Sequence, residues 1–248
     1  DKGKLPKILS DALAVSFDNN VGHDFIDDYK KRFDFYNEKE EKIPFHLDKF
    51  NKITNGGVPR KTLNIAMAGT GVGKSLFMCD LAASHICSGF NVLYITLEMS
   101  EEKIAERIDA NLLDTPIQKL SELPLDIYTK RIDRAKSKIT GKLIIKEYPT
   151  ASASTNHFKH LLNELWLKIS FKPDVIFIDY LNICTSSRLK GGSNVNSYTY
   201  VKSIAEELRG LAVEYNVPLV SATQVNRQGF VSSDFGLEDT SESFGLPA

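Results

Sequence analysis

The segment AGTGVGKS, Ala68 to Ser75, lies between an apolar run, Leu63 to Met67, and an apolar stretch that opens at Lys74 and reaches Ser88. Glycine loses more backbone freedom on folding than any other residue, so Gly69, Gly71 and Gly73 are costly here unless the backbone must take shapes that other residues avoid. A strand before and a helix after give the spacing of a phosphate-binding loop. Its backbone N–H groups turn inward around a polyphosphate, and the helix offers its positive end. Lys74 would then reach the β- and γ-phosphates, and the Ser75 hydroxyl would hold Mg²⁺. The nucleotide contacts are therefore assigned to Ala68, Gly69, Thr70, Gly71, Val72, Gly73, Lys74 and Ser75, with Ala68 standing where the pattern has glycine. ATP with Mg²⁺ is the ligand that this loop chemistry implies.

From about residue 46 onward, strand-like and helix-like stretches alternate, which argues for βαβ units and a mostly parallel sheet. The predicted strands are Leu63 to Met67, Val92 to Thr96, Lys142 to Lys146, Val175 to Asp179 and Leu219 to Thr223. The predicted helices are Lys74 to Ser88, Glu101 to Leu112, Thr155 to Ser170 and Tyr198 to Tyr215. Buried parallel strands read as nearly continuous apolar runs, as VIFID and NVLYIT do. The fold class is α/β, one main domain of residues 45–248 preceded by a helical segment, residues 1–44. In that segment Leu5 to Leu13 and Phe25 to Tyr36 carry helix-spaced apolar residues, and NEKEEKIP closes it as a charged linker. Two short helices without a strand must lie on something. Either they pack on their own domain or they reach a neighbouring subunit.

Lys and Arg total 31 against 32 Asp and Glu, so no whole-molecule field draws the chain to nucleic acid or an anionic membrane, and any such affinity needs a local patch. Cys79, Cys87 and Cys184 lack zinc-site spacing and sit in apolar surroundings, which predicts buried free thiols in a reducing compartment, the cytoplasm. No apolar run approaches the roughly 20 residues of a membrane span.

A triphosphate loop needs a second group on the metal side. In DVIFIDYLNI, Asp179 ends an apolar strand, where its carboxylate can meet the Mg²⁺ water shell opposite Ser75. Hydrolysis further needs a group to orient and deprotonate water. Glu98, just past the strand that ends near Thr96, fits that role, because Ser100, Glu101 and Glu102 already serve the start of the next helix. Gln224, in PLVSATQVNR, puts a neutral amide at another strand tip, where it can sense the γ-phosphate.

FNKITNGG, AGTGVGKS, LEMS, IDYLNI and TQVNR, in that order, resemble the hexameric replicative DNA helicases of the DnaB type, with a RecA-like ATPase fold. RIDANLLD, SYTYVKSIAEELRGLAVE and SESFGLPA look most like the replicative helicases of T4-type bacteriophages. The resemblance implies that Glu98 is the catalytic carboxylate, Gln224 the γ-phosphate sensor, and the first 40 or so residues a linker that docks on the adjacent subunit of a ring. It also implies a primase and a helicase loader as partners, the host cytoplasm as location, and travel 5′ to 3′ along single-stranded DNA.

In that family, loops facing the central channel grip the DNA. The candidate is Thr185 to Lys202, with Arg188, Lys190 and Lys202 as cations and Gly191 and Gly192 for mobility; such a loop contacts phosphates without reading bases. Past Arg227 the chain carries no Lys or Arg, so a second loop there would have to use backbone N–H groups. The family's arginine finger is expected downstream of this chain, which predicts nucleotide binding with slow hydrolysis by the chain alone. A RecA-like recombinase filament and a nucleotide-switched DNA-binding loader share the same core motifs and stay open at this point.

Overall fold

The computed structural model describes residues 22–37, 41–189 and 196–224. Two compact units divide the chain between Glu40 and Glu41. In the first, Tyr29–Asn37 forms helix α1 and buries none of its residues. Phe25, which the sequence places on the same helical face, precedes the helix in a turn where the Asp24 carboxylate accepts from the Ile26 and Asp27 N–H groups. The predicted helix Leu5 to Leu13 lies outside the described residues.

The second unit begins with Lys42–Ile43 (β1), antiparallel to Val58–Pro59 (β2), with the short helix α2 (Asp48–Ile53) between them. Lys42 and Ile43, assigned from the sequence to the linker, thus belong to the larger unit. A parallel sheet follows, built from β3 (Leu63–Ala68), β4 (Val92–Thr96), β5 (Leu143–Glu147), β6 (Val175–Asp179) and β7 (Leu219–Gln224). Its spatial order is β3-β7-β6-β4-β5. The connections carry α3 (Lys74–Cys87), α4 (Glu101–Leu112), α5 (Ile117–Leu120), α6 (Leu125–Lys136), α7 (Thr155–Ile169) and α8 (Ser197–Tyr215), with a 3₁₀ turn at Leu181–Ile183 after β6.

Side chains alternate strictly across the central strands, because successive residues of a strand face opposite sides. Val92, Tyr94, Val175 and Phe177 pack with Met78, Leu81, Ile86, Ile104 and Ile108 beneath α3 and α4. Leu93, Ile95, Ile176 and Ile178 pack with Phe158, Leu162, Ile204, Leu208 and Leu211 beneath α7 and α8. Both faces are buried, so the strands read as unbroken apolar runs. Helix starts follow from capping. Ser100 Oγ accepts from Lys103 N at 3.3 Å at the head of α4, and Ser154 forms a capping box with His157 at the head of α7. The predicted β5 is shifted by one residue, since Leu143 rather than Lys142 pairs with Val92. All three thiols are free, but Cys87, at the C-terminus of α3, is exposed, which corrects the expectation that all are buried.

Candidate nucleotide site

The C-terminal ends of β3, β7, β6 and β4 form one rim, the edge where open parallel sheets place their ligands. β3 stops at Ala68, and the chain passes through Gly71 at φ +74° and Gly73 at φ +106°. A Cβ at Gly71 would meet nothing within 4 Å, so glycine is needed there for backbone conformation rather than for space. Gly73 is the N-cap of α3, and no side chain caps that helix. Its first N–H groups and positive end are thus offered to an anion.

A cleft of about 230 Å³ opens over this turn, lined by Thr70, Gly71, Gly73, Lys74, Ser75, Leu76, Glu98, Met99, Arg107 and Gln224. The Lys74 ammonium donates to the Ala68 carbonyl at 3.2 Å and to the Gly69 carbonyl at 2.9 Å. Burial lowers the Lys74 pKa, and the nearby Glu98 and Asp179 carboxylates, Glu98 more strongly, pull it back up. Both predicted acids therefore act on the same ammonium. Glu98 reaches the cleft because Thr96 Oγ1 closes a tight turn, accepting from Met99 N at 3.1 Å and donating to Met99 O at 2.9 Å. Gln224 pairs in register with Ala68, and its amide lies 3.4 Å from the Tyr180 hydroxyl.

Asp179 is not a wall of the cleft but a floor beneath it, 1% exposed. It faces Thr96 across the β4–β6 pairing, and its carbonyl accepts from Leu97 N at 2.9 Å. Its carboxylate accepts from the Tyr94 hydroxyl at 3.0 Å. No group of three or more His, Cys, Asp or Glu side chains among the described residues could hold a metal. One hydroxyl, Ser75, and one or two carboxylates suit Mg²⁺, which keeps several waters and is completed by substrate phosphates rather than by a protein cage.

Two residues of the site escape sequence reasoning. Arg107 sits on the flank of the Ile104 and Ile108 stripe of α4 and brings a cation into the cleft. Tyr94 interrupts an aliphatic run, and the signal for it is general: a buried tyrosine hydroxyl needs a partner, and strand alternation points it to the face that carries Asp179.

The predicted DNA contacts lie apart from the cleft lining. Arg188 is exposed, with its guanidinium 3.7 Å from Glu206. Lys202 is half-buried on α8, since the helix starts at Ser197 and shortens the predicted loop. Lys190, Gly191 and Gly192 lie outside the described residues, as does the stretch after Asn226.

Residues 43–233 match the family model for the DnaB-like helicase C-terminal domain. The DnaB-like replicative helicase of Enterobacteria phage T4 is 49% identical over 251 residues, covering 100% of this chain and 53% of that protein, so the chain spans about half the relative's length. A DnaB-like replicative helicase whose interactions with primase were determined superposes with a TM-score of 0.73 at 18% identity, over 98% of this chain and 58% of that one. A second solved structure, an isolated ATPase domain, superposes with a TM-score of 0.74 at 19% identity, over 90% of this chain and 81% of that one. The α/β reading with a RecA-like core is borne out by these folds.

Proposed function

Because the chain belongs to the DnaB-like helicase C-terminal domain family, we propose that it is the ATP-driven motor of a replicative DNA helicase. It hydrolyses ATP, moves 5′ to 3′ along single-stranded DNA as a hexameric ring, and unwinds the duplex ahead. The observation that carries this reading is the convergence on Lys74: a glycine-shaped helix start, two carboxylates acting on its ammonium, and Gln224 in register with the first residue of the loop.

In this mechanism the α3 N-terminus and Lys74 hold the β- and γ-phosphates and offset their charge. Ser75 and Asp179 hold Mg²⁺, which when bound neutralises charge that develops on the phosphate oxygens. Glu98 accepts the proton of the attacking water, and the Gln224 amide reads whether the γ-phosphate is present. Arg107 adds a second cation to the same cleft. The exposed Arg188, with Lys190, Gly191, Gly192 and Lys202, contacts the DNA backbone. Residues 1–44 dock on the adjacent subunit. A primase and a loader are the expected partners, and the protein works in the host cytoplasm. Among the described residues no helix is long and apolar enough to cross a membrane.

The test compares two variants. Lys74→Ala should abolish nucleotide binding or hydrolysis, whereas Glu98→Gln should keep ATP bound and stop its cleavage; a forked-duplex strand-separation assay then reads the motor. Equal loss of ATP binding in both variants would contradict the assigned roles. Nucleotide hydrolysis without strand separation would point to a loader, and filaments in place of rings in electron micrographs to a recombinase.

A further inference from the structure

Glu207 lies on α8 and is 5% exposed, outside the nucleotide cleft. A buried carboxylate is costly unless fully hydrogen-bonded, and this one gathers donors from three segments. Ser186 and Ser187 donate through their hydroxyls. Ser187 N–H donates to both oxygens, at 3.1 and 2.9 Å. The Thr155 hydroxyl, in the first turn of α7, donates at 2.9 Å. Ser203, one turn earlier on α8, adds its hydroxyl at 3.3 Å, and Arg188 N–H lies 3.4 Å away. Ser186 Oγ in turn accepts from the Arg188 and Leu189 N–H groups, at 3.1 and 3.0 Å. Burial pushes the Glu207 carboxyl up, but the Ser186 hydroxyl, the Ser187 hydroxyl and N–H and the Thr155 hydroxyl together outweigh it and hold the group at about 2.

The backbone from Ser186 to Arg188 is thus fastened to a single anion, while the Arg188 guanidinium stays exposed beyond the knot. We propose that Glu207 is a positioning residue for nucleic-acid contact: it sets the backbone of Ser186 to Arg188 so that Arg188 is presented to the phosphates of a single strand. This rests on the reading of Arg188 as a DNA contact. An ionised carboxylate offers only acceptors, and every neighbour named here is a donor. Glutamine would turn an NH₂ group toward several of those donors and unseat the segment without changing its length.

The test uses the full-length protein with nucleotide, a fluorescent oligo-dT, and binding measured across a salt series. Glu207→Gln is expected to weaken oligo-dT binding by about tenfold, the low end for one charge-assisted hydrogen bond. The log–log salt slope should fall by about 0.7, the value for one phosphate contact on a single strand. DNA-free ATP hydrolysis should stay within about twofold, because the cleft is lined by other residues. Arg188→Ala should reproduce the change in slope. If Arg188→Ala weakens binding and Glu207→Gln leaves affinity and slope unchanged, the positioning role is overturned. If neither variant changes them, the DNA reading of Arg188 fails and takes the inference with it. If Glu207→Gln lowers hydrolysis and binding in proportion with the slope intact, Glu207 is structural only, which also overturns the proposal. Should Glu207→Gln not fold, Ser187→Ala removes one donor, keeps the charge, and is expected to lower the same slope; an unchanged slope there refutes the role.

Discussion

Replacing Tyr94 with Phe removes one oxygen and almost no apolar area, and it isolates the bond that holds Asp179. The ring is fully buried and stacked on Phe177, with centroids 5.7 Å apart and planes 10° apart, so it should stay in place. What disappears is the donor to Asp179 at 3.0 Å and the acceptor for the Cys79 thiol at 3.8 Å. Burial first, and then the Asp179 charge, push the Tyr94 hydroxyl well above its usual range, so it keeps its proton and always donates. A hydrogen bond to a charged group contributes about 1.5–3 kcal/mol, and a thiol contact much less. With Asp179 only 1% exposed, the expected loss is about 2 kcal/mol, or about 4–8 °C in Tm for a domain of this size. Losing an outer partner of a metal-side carboxylate should also raise the Mg²⁺ needed for half-maximal ATP hydrolysis by about tenfold. Urea unfolding and hydrolysis titrated with free Mg²⁺ read the two effects. Cys79→Ala is the control: it opens a small cavity and costs stability, but leaves the Mg²⁺ requirement alone. If Tyr94→Phe unfolds at the same urea concentration as the parent and needs no more Mg²⁺, Tyr94 does not hold Asp179 and the argument fails.

The backbone of the loop gives a second prediction. Gly73 at φ +106° and ψ 24° leaves a substituted residue strained, so Gly73→Ala should cost about 1 kcal/mol or more and weaken a fluorescent ATP analogue, while an unchanged affinity would mean the turn is not shaped for phosphate. A third concerns His85, fully buried on α3 with neither ring nitrogen in hydrogen-bond geometry. Burial pulls its pKa down to about 4, opposed by the Pro44 carbonyl and reinforced by His46. Because the folded value is depressed, the unfolded chain binds the proton first: stability is intact above about pH 6.5 and falls as pH drops from there to about 4, by about 3 kcal/mol in all. His85→Leu should flatten that part of the urea-unfolding profile, and a profile that keeps its slope would place the titration elsewhere.

Sequence legibility followed burial. β4 and β6 were readable to the residue because both faces of an interior parallel strand are apolar, and their ends are marked by Thr96 and Asp179. β5 lies at the sheet edge, half-exposed for most of its length, and its weaker pattern allowed a one-residue error. α6 escaped the reading because Ala135 alone is buried along it and Leu125 faces solvent, so there was no apolar stripe to count. β1 and β2, at two residues each, exist only because Lys42 and Ile43 meet Pro59 and Val58 across a gap in sequence that periodicity does not span. Lys74, Asp179, Glu98 and Gln224 were legible as polar residues breaking apolar runs at strand tips. Tyr94 and Arg107 were not, since each belongs to an amphipathic pattern that packing alone would explain.

β6 joins the two halves of the proposed machine. It carries Asp179 at its tip and, after one 3₁₀ turn, the segment fastened by Glu207. That stretch has little slack. Ser221 Oγ donates to the Ile178 carbonyl at 2.7 Å, Ala151 N to the Ile183 carbonyl at 3.1 Å, and Thr185 N to the Ala153 carbonyl at 2.8 Å. Each bond ties the chain to a different element, β7 first and then the turn leading into α7. A segment tethered at so many points transmits a displacement instead of absorbing it, because packed contacts switch between arrangements and do not stretch. A shift of Asp179 on nucleotide turnover would therefore be felt at Arg188. By thermodynamic reciprocity, DNA held at Arg188 must alter the affinity of the cleft for nucleotide by the same factor that nucleotide alters the affinity for DNA. A flexible polar tether at position 207 would break that chain of contacts, which is the physical reason for a buried carboxylate where an apolar residue would pack more cheaply.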